Sequence, residues 1–133
     1  MANSVAKDIA TLLAANGFGT LGTNIFGMEW GPDSTDAQIL IIDVIGVDTQ
    51  DKDQYEHPSF QILKRGERAG SASDVYDDIK AIHNFLIQQA ESVTINATDY
   101  LGFEPLGSIG GLGRDDNDRY VYSMNYTTFR NPD

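Results

Sequence analysis

The sequence predicts an α+β domain: a mostly antiparallel sheet of four or five strands with helices packed on one of its faces. Three observations lead there. Two segments carry apolar residues at helical spacing, and five segments alternate apolar and polar residues or are apolar throughout. The order, helix, two strands, a third strand, helix, two strands, is that of an α+β chain. At 133 residues, positions 1–133 form one domain with one core, with neither a repeat nor a second composition to divide them.

From Ser4 to Ala15, Val5, Ile9, Leu12 and Leu13 make one apolar face, with Asn3 or Ser4 as N-cap and Gly17 as the stop. In "TNIFGMEW" alternation places Asn24, Phe26, Met28 and Trp30 on one side of a strand, and "GPDSTD" supplies a turn. "QILIIDVIG" is apolar on both faces, the mark of a central or interface strand, and only Asp43 interrupts it. "DTQDKDQYEHP" is an exposed connection. It enters "SFQILKR", where Phe60 and Ile62 share a face and Pro58 sits at the strand entrance.

The second helix runs from about Asp74 to Gln89 on Val75, Ile79, Ile82 and Leu86, with Ser71 or Ser73 as its cap. "SVTINAT" alternates Val93, Ile95 and Ala97 against Thr94, Asn96 and Thr98, as a fourth strand does. Leu101 to Gly113 holds five glycines and a proline and reads as a loop or arm. The last strand, about Arg119 to Arg130, sets Tyr120, Tyr122, Met124 and Tyr126 on one side.

Composition excludes several functions. Without cysteine there are no disulfides, thiolate metal sites or cysteine nucleophiles. A net charge of −11 opposes nonspecific binding to nucleic acid or anionic membrane, which needs clustered Lys and Arg. No run approaches the roughly 18 apolar residues of a membrane span, and the N-terminal segment has no signal-peptide pattern.

"GFGTLG", Gly17 to Gly22, spells the dinucleotide-binding glycine pattern, but it follows a helix and precedes a strand, the reverse of what phosphate binding at a helix N-terminus needs. "GSIGGLG" lacks the Lys and hydroxyl residue of a phosphate loop. The acidic knot Asp115, Asp116 and Asp118 fails calcium-loop spacing from either starting register, so no metal site is assigned. His57, His83 and Asp43 do not group into catalytic machinery, and the expectation for Asp43 is a sheet edge or a pairing with Arg or backbone. Two basic loops stand out: "KRGER", holding Arg65 and Arg68, and Arg114 to Arg119, with Asp115, Asp116 and Asp118 between its arginines. Arginine's bidentate bonding to carboxylates makes these seven residues the candidate subunit or partner contacts.

Across nearly the whole chain, "NGFGTLGTNIFGMEW", "ILIIDVIG", "HPSFQILKRG", "SVTINATDY" and "LGRDDNDRYVYSMNYTTFR" together resemble the tail terminator proteins of long-tailed bacteriophages, often labelled minor capsid proteins. The most telling pieces are "PSFQILKRG" and "GRDDNDRYVYSMNY". The resemblance implies a hexameric ring at the head-proximal end of the tail tube. Such a ring stops tube polymerisation, meets a neck or head-completion protein, and sits in the virion after assembly in the host cytoplasm. It also implies no enzymatic activity and no cofactor. DNA would pass through the lumen without specific binding, and acidic charge there would keep it from sticking. Three other readings predict different things: a different neck or head-completion ring, a calcium-dependent interaction module relying on Asp116 and Asp118, and a small hydrolase with a cleft joining Asp43 or His83 to a nucleophile.

Overall fold

The computed structural model describes residues 4–44, 56–89 and 93–131. The acidic connection read from "DTQDKDQYEHP" lies mostly outside these residues. The first helix, α1 (Val5–Ala15), is capped by Ser4, whose Oγ accepts from the Lys7 N–H at 3.2 Å, and it ends at Asn16 before Gly17 at φ +84°. It buries Val5, Ile9, Leu12 and Leu13, the stripe the spacing predicts. The second helix, α2 (Ala72–Ile87), starts from Ser71, which accepts from the Asp74 N–H at 3.2 Å, and buries Val75, Ile79, Ile82 and Leu86. Of the two candidate caps, Ser71 is used.

The strands are β1 (Ile25–Gly27), β2 (Gln38–Val44), β3 (Ser59–Arg65), β4 (Val93–Ile95), β5 (Thr98–Pro105), β6 (Gly110–Arg114) and β7 (Tyr120–Arg130). They form one α+β sheet in the order β1-β2-β3-β7-β5-β4, with β6 also paired to β7. Among the described residues seven strands replace the expected four or five, and the sheet is mixed because β1 runs parallel to β2.

Three segments differ locally from their sequence reading, and the first supplies the additional strands. First, the segment read as a glycine-rich loop, Leu101 to Gly113, is most of β5 together with β6, both laid antiparallel along β7. Its glycines serve irregular strand geometry: Gly102 and Gly113 have φ near +81° and +80° and lie within the two register shifts against β7. Gly111 lies so close to Tyr122 that a Cβ would come within 3.2 Å of the ring. Second, "SVTINAT" is a hairpin, with Ile95 paired to Thr98 and Asn96 and Ala97 at φ +49° and +65° as its two-residue turn. Third, "TNIFGMEW" forms a strand of three residues, stopped at Met28 with φ +83°, and Ile25 rather than Phe26 is the fully buried member.

Register divides the sheet into two faces. Asp43, Phe60 and Tyr126 share one row and Ile41, Ile62 and Met124 the next, and of these the five apolar side chains enter one core with Ile9, Leu13, Ile79, Ile82 and Leu86. The opposite rows, Leu40–Leu63–Ser123 and Ile42–Gln61–Asn125, contribute nothing to that cluster. Both helices therefore cover one face, as expected.

Candidate functional site

The two basic loops picked out from the sequence meet in space through a third. The β6–β7 turn is tight: Asp115 accepts the N–H groups of Asn117 at 2.9 Å and Arg119 at 3.1 Å through Oδ1, and Asp118 takes φ +61°. This geometry turns Arg119 inward. Its side chain is only 3% exposed and reaches Asp115 at 2.9 Å, Asp33 at 2.8 Å and Asp36 at 3.2 Å. Arg68 reaches the same Asp36 oxygen at 3.2 Å, and Asn117 Nδ2 donates to Asp33 Oδ2 at 2.9 Å.

The loop carrying Asp33 and Asp36 is fixed from beneath. Gln38, fully buried, accepts from the Gly31 N–H at 2.9 Å and donates to the carbonyls of Pro32 and Thr35, each at 2.7 Å. Arg65 donates to the carbonyls of Asp36 and Thr35, both at 2.9 Å, and its guanidinium lies 4.5 Å from the Trp30 ring centre. The arrangement joins the loop after β1, the exit of β3 and the β6–β7 turn.

Charge follows this geometry. Burial opposes the ionised form of Arg119, but hydrogen bonds with Asp115 and Asp33 outweigh it and raise its pKa. Asp33 is held below the usual carboxylate range, mainly by its hydrogen bond from Arg119, and Asp36 likewise, mainly by Arg68. For Asp115 burial pushes the other way, yet hydrogen bonds from the Arg119 side chain and from the backbone of Arg119 and Asn117 lower it. Burial and the nearby Arg119 charge lower the pKa of Arg65.

Of the seven candidate contacts, Arg65, Arg68, Asp115 and Arg119 belong to this cluster. Arg114 and Asp118 pair with each other on its outside, and Arg114 lies 4.1 Å from the Tyr120 ring centre. Asp116 is exposed at the tip of the turn. Asp33, Asp36 and Gln38, which the sequence does not single out, take part in most of the hydrogen bonding, and "GPDSTD" signals only a turn. Nothing local marks those acids as partners of arginines more than 25 residues away.

Asp43, read as an interruption in an apolar strand, is exposed on β2 and accepts the Ala6 N–H at 2.9 Å. It thus completes the N-terminus of α1, where an anion also meets the helix dipole, an effect of about 0.5 kcal/mol. His57 stacks on Phe129 at 4.0 Å, whereas His83 Nδ1 lies 2.8 Å from the Tyr126 hydroxyl, so the two histidines serve separate contacts. Among the described residues no group of three or more His, Asp or Glu is arranged to hold a metal ion, and no helix is long and apolar enough to cross a membrane.

The sequence profile described as bacteriophage tail terminator protein matches residues 12–130. The chain belongs to the bacteriophage tail terminator family. The matched span takes in every residue of the arginine cluster, and tail terminators are structural proteins of the phage tail, which places this chain's family in the virion. No curated protein matches the chain. Four chains of solved structures match, and one of them aligns over 98% of this terminator and 94% of its own length, with a TM-score of 0.55 and 13% identity. At that identity the likeness shows the fold alone.

Proposed function

We propose that six copies of this chain close into a ring on the head-proximal end of the tail tube, where the ring stops tube polymerisation and joins the tail to the neck. The observation that carries this reading is the family match over residues 12–130. The geometry is consistent with it. A ring needs two different, complementary surfaces per copy, and the described edges offer them: β4 pairs only with β5, and β6 pairs only with β7.

The seven sequence-derived contacts divide into two parts in this reading. Arg65, Asp115 and Arg119 hold the cluster together, while Arg68, Arg114, Asp116 and Asp118 stand at its surface and meet a neighbouring copy, the tube protein or the neck protein. The acidic excess keeps DNA from adhering as it passes. A different neck or head-completion ring is the second reading, and the family match favours termination over it.

Purified protein added to polymerising tail tubes is expected to arrest elongation and to appear in negative stain as a six-subunit ring at one tube end. Unchanged elongation would overturn the proposal. In the same assay Arg114→Ala is expected to reduce capped ends severalfold with the melting temperature unchanged, because a solvent-screened exposed pair contributes little to stability. Full capping by that variant would remove the surface role of the turn.

A further inference from the structure

Between α2 and the link from β5 to β6 lies a recess of about 230 Å³, walled by Tyr76, Lys80 and His83 on one side and by Gly107, Ser108 and Ile109 on the other. Its polar groups are mostly donors. Lys80 is exposed and forms no ion pair with any described carboxylate, although acidic residues outnumber basic ones by 20 to 9. His83 Nδ1 faces the hydroxyl of fully buried Tyr126 at 2.8 Å. A buried O–H without an acceptor is costlier than an unused lone pair, so Tyr126 donates and the imidazole proton resides on Nε2. That N–H meets no acceptor among the described residues.

An ammonium, an imidazole N–H and the hydroxyls of Tyr76 and Ser108 around one recess suit a carboxylate, whose two oxygens only accept. The volume falls below the roughly 300–1,000 Å³ of small-molecule sites, so it fits one inserted side chain better than a whole ligand. Copies carrying −11 each repel one another, and a contact between them gains most where a carboxylate of one finds an unpaired cation of the other.

We propose that this recess receives an aspartate or glutamate side chain from a neighbouring copy of the chain, held by Lys80 and His83. The proposal rests on the ring reading and names one of its two complementary surfaces.

Tubes capped with a mixture of isotopically light and heavy protein, treated with a zero-length carbodiimide, are expected to yield a Lys80-to-carboxylate amide joining different copies. Lys80→Glu is expected to lower the yield of capped ends about tenfold, as like charges meet across the contact, while Lys80→Arg, which keeps the charge, retains most of the wild-type yield. Rings that form with no inter-copy Lys80 link, or with the link made to tube or neck protein, would overturn the recess proposal and leave the ring standing. Undiminished capping by Lys80→Glu would do the same. Loss of DNA retention in Lys80→Glu with capping intact would reassign the recess to phosphate. Absence of any wild-type ring on tubes would instead overturn the ring reading, and this proposal with it.

Discussion

Arg119→Ala is expected to destabilise the protein by about 3 kcal/mol, the low end of the roughly 3–5 kcal/mol that follows removal of one partner from a buried ion pair. The arginine is buried, with 3% of its side chain exposed, and it joins three carboxylates from two loops. Without it, Asp115 stays largely covered with only its backbone N–H donors, whereas Asp36 keeps its pair with Arg68 and Asp33, 68% exposed, rehydrates. That difference sets the low end. Arg119→Lys keeps the charge but loses the planar fork and should recover less than half of the loss. Chemical denaturation measures both, and a shift below about 1 kcal/mol for the alanine variant would show that the cluster does not stabilise the fold.

The same cluster predicts acid lability. The folded pKa values of Asp33, Asp36 and Asp115 are all depressed from 3.8, so their contribution is complete above that value and is lost as pH falls through the lower folded values. Wild-type stability should therefore drop on acidification below about pH 4, and that of Arg119→Ala should drop less steeply. Parallel losses would separate the acid transition from this site.

Phe60→Ala is expected to cost about 4 kcal/mol, within the roughly 3–5 kcal/mol of a fully buried Phe truncation. Phe60 is 0% exposed, stacks on Tyr126 with ring centres 5.4 Å apart and meets Phe103 edge-on at 6.0 Å. It sits in the row where β3 pairs with β7, so the cavity would open between the central strands rather than at a rim. Phe60→Leu retains most of the volume and should cost about 1.5 kcal/mol. Urea or guanidinium midpoints at unchanged slope would check both; equal losses for Ala and Leu would mean that ring stacking, not volume, governs the site. Because Tyr126 orients His83, the alanine variant should also blur the recess beside α2.

Both helices were legible because each face is decided within the helix: Val75, Ile79, Ile82 and Leu86 recur at its period whatever they pack on. The long runs β2, β3 and β7 were legible for the same local reason. The glycine-rich span was not. Glycine marks bulges and close approaches as readily as loops, and only the pairing of Gly110 and Gly111 with Ser123 and Tyr122 turns that span into a strand. Likewise, Asn96-Ala97 lacks the glycine that advertises a two-residue hairpin, so local pattern continues one strand through the turn.

The candidate site shows the same limit more sharply. From sequence, Arg119 and Arg114 are equivalent cations flanking an acidic knot, and the two basic loops are unrelated. In the fold, Arg119 is drawn inward to Asp33 and Asp36 while Arg114 remains outside with Asp118.

By itself the sequence determined the α+β class, the two amphipathic helices, the main strands and the tail terminator family, because periodicity and motif order are properties of neighbouring residues. The tertiary structure alone decided the parallel edge, the two strands within the glycine-rich span and which arginine is a buried clasp and which a surface group. Those outcomes depend on pairings across tens of residues, where strand register and the cost of burying a charge, rather than local pattern, select the partner.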